Sequence, residues 1–170
     1  LDESATSSTP AALGVINIGN DPDVAGAGAI STVTTAGALV TITAAFGADG
    51  PALVNPVSYA LAVTNPGSGL FVTDGAAITL ALESGVIVGR VASGPLIGQA
   101  AFAIGIVTST GAVTVEQYLS FDHPINPDPD DTVALAAGSV AVNVTITDRD
   151  GDSVTQGVDV SGQIKFDDAG

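Results

Sequence analysis

Between Val140 and Thr147 the chain alternates without a break, with Val140, Val142, Val144 and Ile146 on one side and Ala141, Asn143, Thr145 and Thr147 on the other. Successive side chains of a β-strand point to opposite faces, so this run fits a strand with one buried face. It does not fit a helix, whose apolar positions would recur every three or four residues. Asp148-Arg149-Asp150-Gly151-Asp152-Ser153 follows. Beyond it Val154, Val158, Val160, Ile164 and Phe166 share one parity, and Thr155, Asp159, Ser161, Gln163 and Lys165 the other. Two alternating runs joined by a short polar segment make a hairpin. Three carboxylates crowd its tip.

The same reading places further strands along the chain. Leu39 to Phe46 puts Val40, Ile42, Ala44 and Phe46 on one face. Tyr59, Leu61 and Val63 define the next strand, which Asn65-Pro66-Gly67-Ser68-Gly69 ends as a turn. Ile78, Leu80 and Leu82 pass through Ser84-Gly85 into Val86 to Arg90, and Phe102, Ile104 and Ile106 pass through Ser109-Thr110-Gly111 into Val113 to Phe121. Residues 1–28 are poorly patterned and read as loop-rich. Asp122 to Asp131 contains Pro124, Pro127 and Pro129, which remove backbone donors and fix φ, so it reads as an acidic loop. No helical period of convincing length occurs, and turn signals recur roughly every eight to twelve residues. The expected fold is all-β, an antiparallel β-sandwich with long loops, in one domain spanning residues 1–170.

Composition narrows the function. Eighteen acidic residues face three basic ones, Arg90, Arg149 and Lys165, giving a formal net charge of −15. Nucleic acid and anionic lipid are both held by clustered Lys and Arg, so neither is an expected partner. Cysteine is absent, which excludes disulfides and thiolate zinc sites. No apolar run approaches the ~18 residues of a membrane-spanning helix, so membrane insertion is not expected. The chain opens without an initiator Met or a basic-then-apolar leader, and a segment of a longer protein is the expectation.

What such a surface suits is cations. Calcium takes about six to eight oxygen ligands at roughly 2.3–2.6 Å, and Asp148, Asp150 and Asp152 alternate in a loop that Gly151 allows to bend sharply. An EF-hand is not supported, because the later glutamate is missing and the flanks have strand period. The acidic loop offers Asp128 and Asp130, with Asp122 and Asp131 beside them, as a second calcium site. His123, the single histidine, reads as structural. An enzyme is not expected: no Gly-x-Ser-x-Gly elbow is present, and Glu83 and Glu116, which could pair as glycosidase acids, alternate opposite the apolar faces and read as solvated.

An ordered set of motifs spans nearly the whole chain: Leu1-Asp2-Glu3-Ser4, Phe46-Gly47-Ala48-Asp49-Gly50, Tyr59 to Leu70, Val88-Gly89-Arg90-Val91, His123-Pro124 with Asn126-Pro127-Asp128, Thr145 to Ser153, and Phe166-Asp167-Asp168-Ala169-Gly170. In this set the chain resembles the tandem repeat, or extender-type, domains of bacterial type I-secreted RTX giant adhesins. The glycine- and aspartate-rich nonapeptide of RTX proteins is absent, so a calcium β-roll is not implied. Arg149 stands where those repeats usually carry a small residue.

The resemblance implies an immunoglobulin-like β-sandwich, exported to the bacterial cell surface and repeated in series. Its partners would be neighbouring modules of the same chain, with calcium as the cofactor. Asp2, Glu3, Asp167 and Asp168 would share calcium across the module junctions. The implied function is structural: a spacer holding a distal ligand-binding region away from the cell. The alternative is that the module itself binds a host or surface ligand, a glycan, a peptide or ice; ice binding would need a flat threonine-rich strand face such as the one around Thr41 and Thr43.

Overall fold

The computed structural model describes residues 12–15, 28–124 and 131–167. Within them the chain is built from antiparallel β-strands and one short 3-10 turn. No helix among the described residues is long and apolar enough to cross a membrane. The strands are β1 (Ser31–Ala38), β2 (Val57–Val63), β3 (Gly67–Phe71), β4 (Ala77–Glu83), β5 (Val86–Val91), β6 (Ala100–Ile106), β7 (Ala112–Gln117), β8 (Thr132–Ala134), β9 (Val140–Thr147), β10 (Ser153–Asp159) and β11 (Lys165–Asp167). They form a six-stranded sheet in the order β1-β7-β6-β5-β4-β3, a three-stranded sheet β10-β9-β2, and the pair β11-β8.

Burial of one face of each sheet drives the sandwich. Ile78 and Leu80 of β4, Ile87 of β5, Phe102 and Ile104 of β6, and Val113 and Val115 of β7 meet Leu61 of β2 and Val140, Val142 and Val144 of β9 in one apolar cluster. Strand β2 lies across β4, β5 and β6. At the centre three rings interlock: Phe121 and Phe166 stand edge to face at 4.6 Å, and Phe102 lies 5.9 Å from Phe121 and 5.2 Å from Phe166. Gly89 makes room for them, since a Cβ at that position would fall 2.3 Å from the Phe102 ring.

Four expectations need correction. Residues 39–46 do alternate, with Val40 buried and Thr41 and Thr43 exposed, yet they are not assigned to a sheet. Alternation reports burial of one side of a segment, and a ladder needs a partner as well. The strand lies just before, as β1, an edge strand whose run Ser31-Thr32-Val33-Thr34-Thr35 is mostly exposed and so shows no apolar period. Gly67-Ser68-Gly69, expected as a turn, belongs to β3; the buried Ser68 hydroxyl donates to the Ile78 carbonyl and fixes it there. The strand expected to reach Phe121 ends at Gln117, and Phe121 returns as an isolated bridge to Val72.

The last correction concerns the run beyond Val158, which leaves the hairpin. After Asp159 the chain makes a 3-10 turn at Ser161–Gln163 and re-forms as β11 against β8, pairing Phe166 with Val133. Asp159 is the hinge of this change. One carboxylate oxygen accepts from the Ser161 amide (3.0 Å) and hydroxyl (2.6 Å), and the other from the Gly138 amide (3.0 Å). These bonds favour the ionised form and hold the Asp159 carboxyl below its ordinary value. A depressed carboxylate adds stability above its unfolded pKa, and that stability is lost as pH falls through the lower folded value. Asp159→Asn is therefore expected to lower the unfolding midpoint at neutral pH and to flatten the acid limb of stability below the ordinary aspartate pKa of about 4; parallel acid titrations of the two proteins check this.

Candidate metal centre

Strands β9 and β10 pair in unbroken register from Ala141 opposite Asp159 to Thr147 opposite Ser153. The tip between them is closed by its own backbone: the Asp148 amide donates to the Asp152 carbonyl (3.0 Å) and the Gly151 amide to the Asp148 carbonyl (3.3 Å). The Asp152 amide donates to Asp148 Oδ1 at 2.9 Å. Gly151 has φ of 101°, in the region that costs glycine nothing and strains a side-chain-bearing residue.

A second segment braces the tip. The Arg149 amide donates to the Gly50 carbonyl (3.0 Å), the Ala52 amide to Thr147 (3.1 Å) and the Thr147 amide to Pro56 (2.9 Å), while Pro51 bridges Asp148. Residues 50–56 thus hold the aspartate loop from outside the hairpin. Local sequence carries no sign of this, because the two segments are about a hundred residues apart.

The closed loop brings the three carboxylates together. Asp148, half-buried, and Asp150 and Asp152, both exposed, each offer an oxygen, and these oxygens lie within 4.8 Å of one another. Crowding shows in their protonation. Asp148 is raised above its ordinary value, first by its hydrogen bond to Asp150 and then by desolvation and the neighbouring charge, while the same bond lowers Asp150. The pair holds a proton more readily than isolated aspartates do.

The donor set fits a hard divalent cation. Oxygens bound at about 2.3–2.6 Å to one ion cannot be more than roughly 5 Å apart, and the triad meets that limit. All its donors are carboxylate oxygens, which suit calcium or magnesium and not the nitrogen and sulfur sites of zinc. Three carboxylates leave room for the carbonyls or waters that calcium also takes. A cation and a proton compete for the same oxygens, so stabilisation by calcium is expected to fade as pH falls through the raised Asp148 value. Melting curves with and without calcium at several pH values test this. Next to the triad an open cleft of about 600 Å³ is lined by Thr43, Ala45, Phe46, Ile146, Val154, Asp148 and Asp152.

The other expected ligands do not join the triad. Asp167 sits on β11 and accepts from the Thr132 hydroxyl at 2.6 Å. Asp2, Glu3, Asp168, Asp128 and Asp130 lie outside the described residues. Asp122 is exposed, with its amide on the Phe71 carbonyl, and Asp131 is buried. The two glutamates read as solvated behave differently. Glu83 pairs in fork geometry with Arg90, at 2.7 Å to both Nε and Nη2, which lowers its pKa. Glu116 is fully buried, because its side of the six-stranded sheet is covered by residues 12–15.

Among known proteins, a family model described as a domain of unknown function (DUF5801) matches residues 1–161. No curated protein matches, and no solved structure does.

Proposed function

We propose that this chain, which belongs to the DUF5801 family, is a calcium-stabilised structural module that acts as a spacer in a bacterial surface adhesin. The observation that carries the reading is the convergence of Asp148, Asp150 and Asp152 at one braced hairpin tip. Calcium there would cancel two of the charges that repel one another in the loop and would tie the tip to the 50–56 brace through Asp148 and Arg149. A tip fixed in this way stiffens one end of the sandwich, which is what a module in series needs to pass orientation to its neighbour. The resemblance of its ordered motifs to RTX adhesin repeats supports an extracellular setting with neighbouring modules as partners.

Two copies joined in series test the spacer role. Small-angle scattering is expected to give a longer particle in calcium than in chelator; equal dimensions in both would remove the role. A second reading, ligand binding by the module itself, is supported by the cleft beside the triad, whose apolar walls end in two carboxylates. Specific, calcium-dependent binding on a glycan array would favour it. The ice-binding version finds less support, because Thr41 and Thr43 are exposed outside any sheet and form no regular flat face.

A further inference from the structure

Strand β10 closes one side of the three-stranded sheet, and its far edge pairs with no strand among the described residues. Backbone bonds alternate along an antiparallel pair, so every second residue of an edge strand turns its amide and carbonyl away from the neighbour. The Asp148 amide donates across the hairpin to the Asp152 carbonyl, whereas the Thr147 amide turns the other way, to Pro56. Continued along the register of β9 and β10, this alternation bonds Val154, Gln156 and Val158 to β9. It leaves the amides and carbonyls of Ser153, Thr155 and Gly157 facing outward. The Thr145 and Thr155 hydroxyls, 2.7 Å apart, show the close side-chain approach of a pair without backbone bonds.

Proteins blunt such edges with bulges, prolines, lysines or covering segments. The other outer edges of the two larger sheets are treated in this way. Register shifts interrupt β1 between Thr34 and Ala38 and β3 between Gly67 and Phe71, and the Thr108 carbonyl takes the Tyr59 amide of β2. Strand β10 carries none of these devices: it runs in unbroken register and contains neither Lys nor Pro. Its core-facing side is also open. Val154 shares a face with Ile146 yet is 72% exposed, and with Ala45 and Phe46 it lines the cleft beside the hairpin tip. A residue placed opposite Val154 on an added strand would point the same way, toward that cleft. Both ends of the edge are acidic, with Asp148, Asp150 and Asp152 before it and Asp159 closing it, against Arg149 alone.

We propose that the outer edge of β10 is a docking site for an extended strand of a partner protein, one with apolar residues at alternate positions and basic residues at its ends. The added strand exchanges backbone bonds with Ser153, Thr155 and Gly157 and sets an apolar side chain beside Val154 in the cleft. Its cations stand against Asp152 and Asp159. A second copy of this chain fits the edge less well, because each copy carries a formal net charge of −15. The proposal rests on the ligand-binding reading and names the ligand's class; it needs neither calcium nor the spacer role.

Hydrogen exchange on the full chain in chelator tests it, with a synthetic peptide of alternating valine and threonine, ended by lysines, as the probe. In the free protein the Thr155 and Gly157 amides are expected to exchange fast, and those of Gln156 and Val158 to be protected. Excess peptide is expected to slow Thr155 and Gly157 roughly tenfold or more while Gln156 and Val158 stay as they were. Binding to a face of the sheet would not give that alternation. Thr155→Pro removes an outward donor, leaves the bonds to β9 in place and is expected to abolish the slowing. Val154→Lys, at an exposed position, is expected to weaken peptide binding several-fold and decides the matter if Thr155→Pro does not fold. No slowing by the lysine-ended peptide, equal slowing by one ended with glutamates, or slowing that survives Thr155→Pro would overturn the proposal. Concentration-dependent protection of Thr155 and Gly157 without peptide would also overturn it, by giving the edge to a second copy. Specific binding on a glycan array beside any of these results would leave the ligand-binding reading standing without this one.

Discussion

Phe102→Ala is expected to lower the unfolding free energy by about 3–5 kcal/mol, the range for emptying a buried aromatic site. Phe102 is fully buried, touches Phe121 and Phe166, and leans over Gly89. It therefore joins β5, β6, the bridge after β7 and β11. The void cannot close easily, because the neighbouring rings are held by separate strands and each would have to leave its own pairing to fill it. For a chain of this length a loss of that size corresponds to a melting temperature lower by roughly 10–15 °C. Phe102→Leu is expected to recover a large part of it. Urea unfolding of the three proteins measures the series, and a Phe102→Ala effect under about 1 kcal/mol would mean that the ring cluster is not the centre of the core.

The second large effect is the removal of calcium stabilisation by Asp148→Asn together with Asp150→Asn. A ligand bound to the folded state at a hundred times its dissociation constant stabilises by about 2.7 kcal/mol. In a chain of this size that is a rise of roughly 5–10 °C in melting temperature. The double variant keeps the loop's size and most of its hydrogen bonds while removing two charged ligands from a set of three. The calcium-dependent rise should vanish, and the melting temperature in chelator should stay level or increase, because two of the three crowded negative charges are gone. A calcium response that survives the double variant would place the ion elsewhere in the chain.

Local pattern was enough to find β2, β4, β5, β6, β9 and β10, since large apolar side chains alternating with small or polar ones, or a turn signal leading out of such a run, mark each of them. It failed where pairing is decided from far away. Strand β8 is three residues long and exists because β11 returns to it from the far side of the β9–β10 hairpin. Strand β3 is made of residues that usually turn, and the Ser68 hydroxyl on Ile78 holds it straight. Glu116 was assigned to the correct side of β7 and the wrong environment: parity tells which face a residue takes, but not that residues 12–15, about a hundred positions earlier, lie over that face. The candidate metal centre divides in the same way. Its three aspartates and Gly151 are contiguous and could be read directly, whereas the brace from Gly50 to Pro56 is non-local and could not.

The account stands on calcium at the hairpin tip, and calorimetric titration of the chain with calcium at neutral pH, repeated with magnesium present, tests that most directly. Saturable calcium binding that magnesium displaces only weakly, and that disappears in Asp148→Asn with Asp150→Asn, is the predicted result. No saturable heat, or the same binding in the double variant, would contradict it.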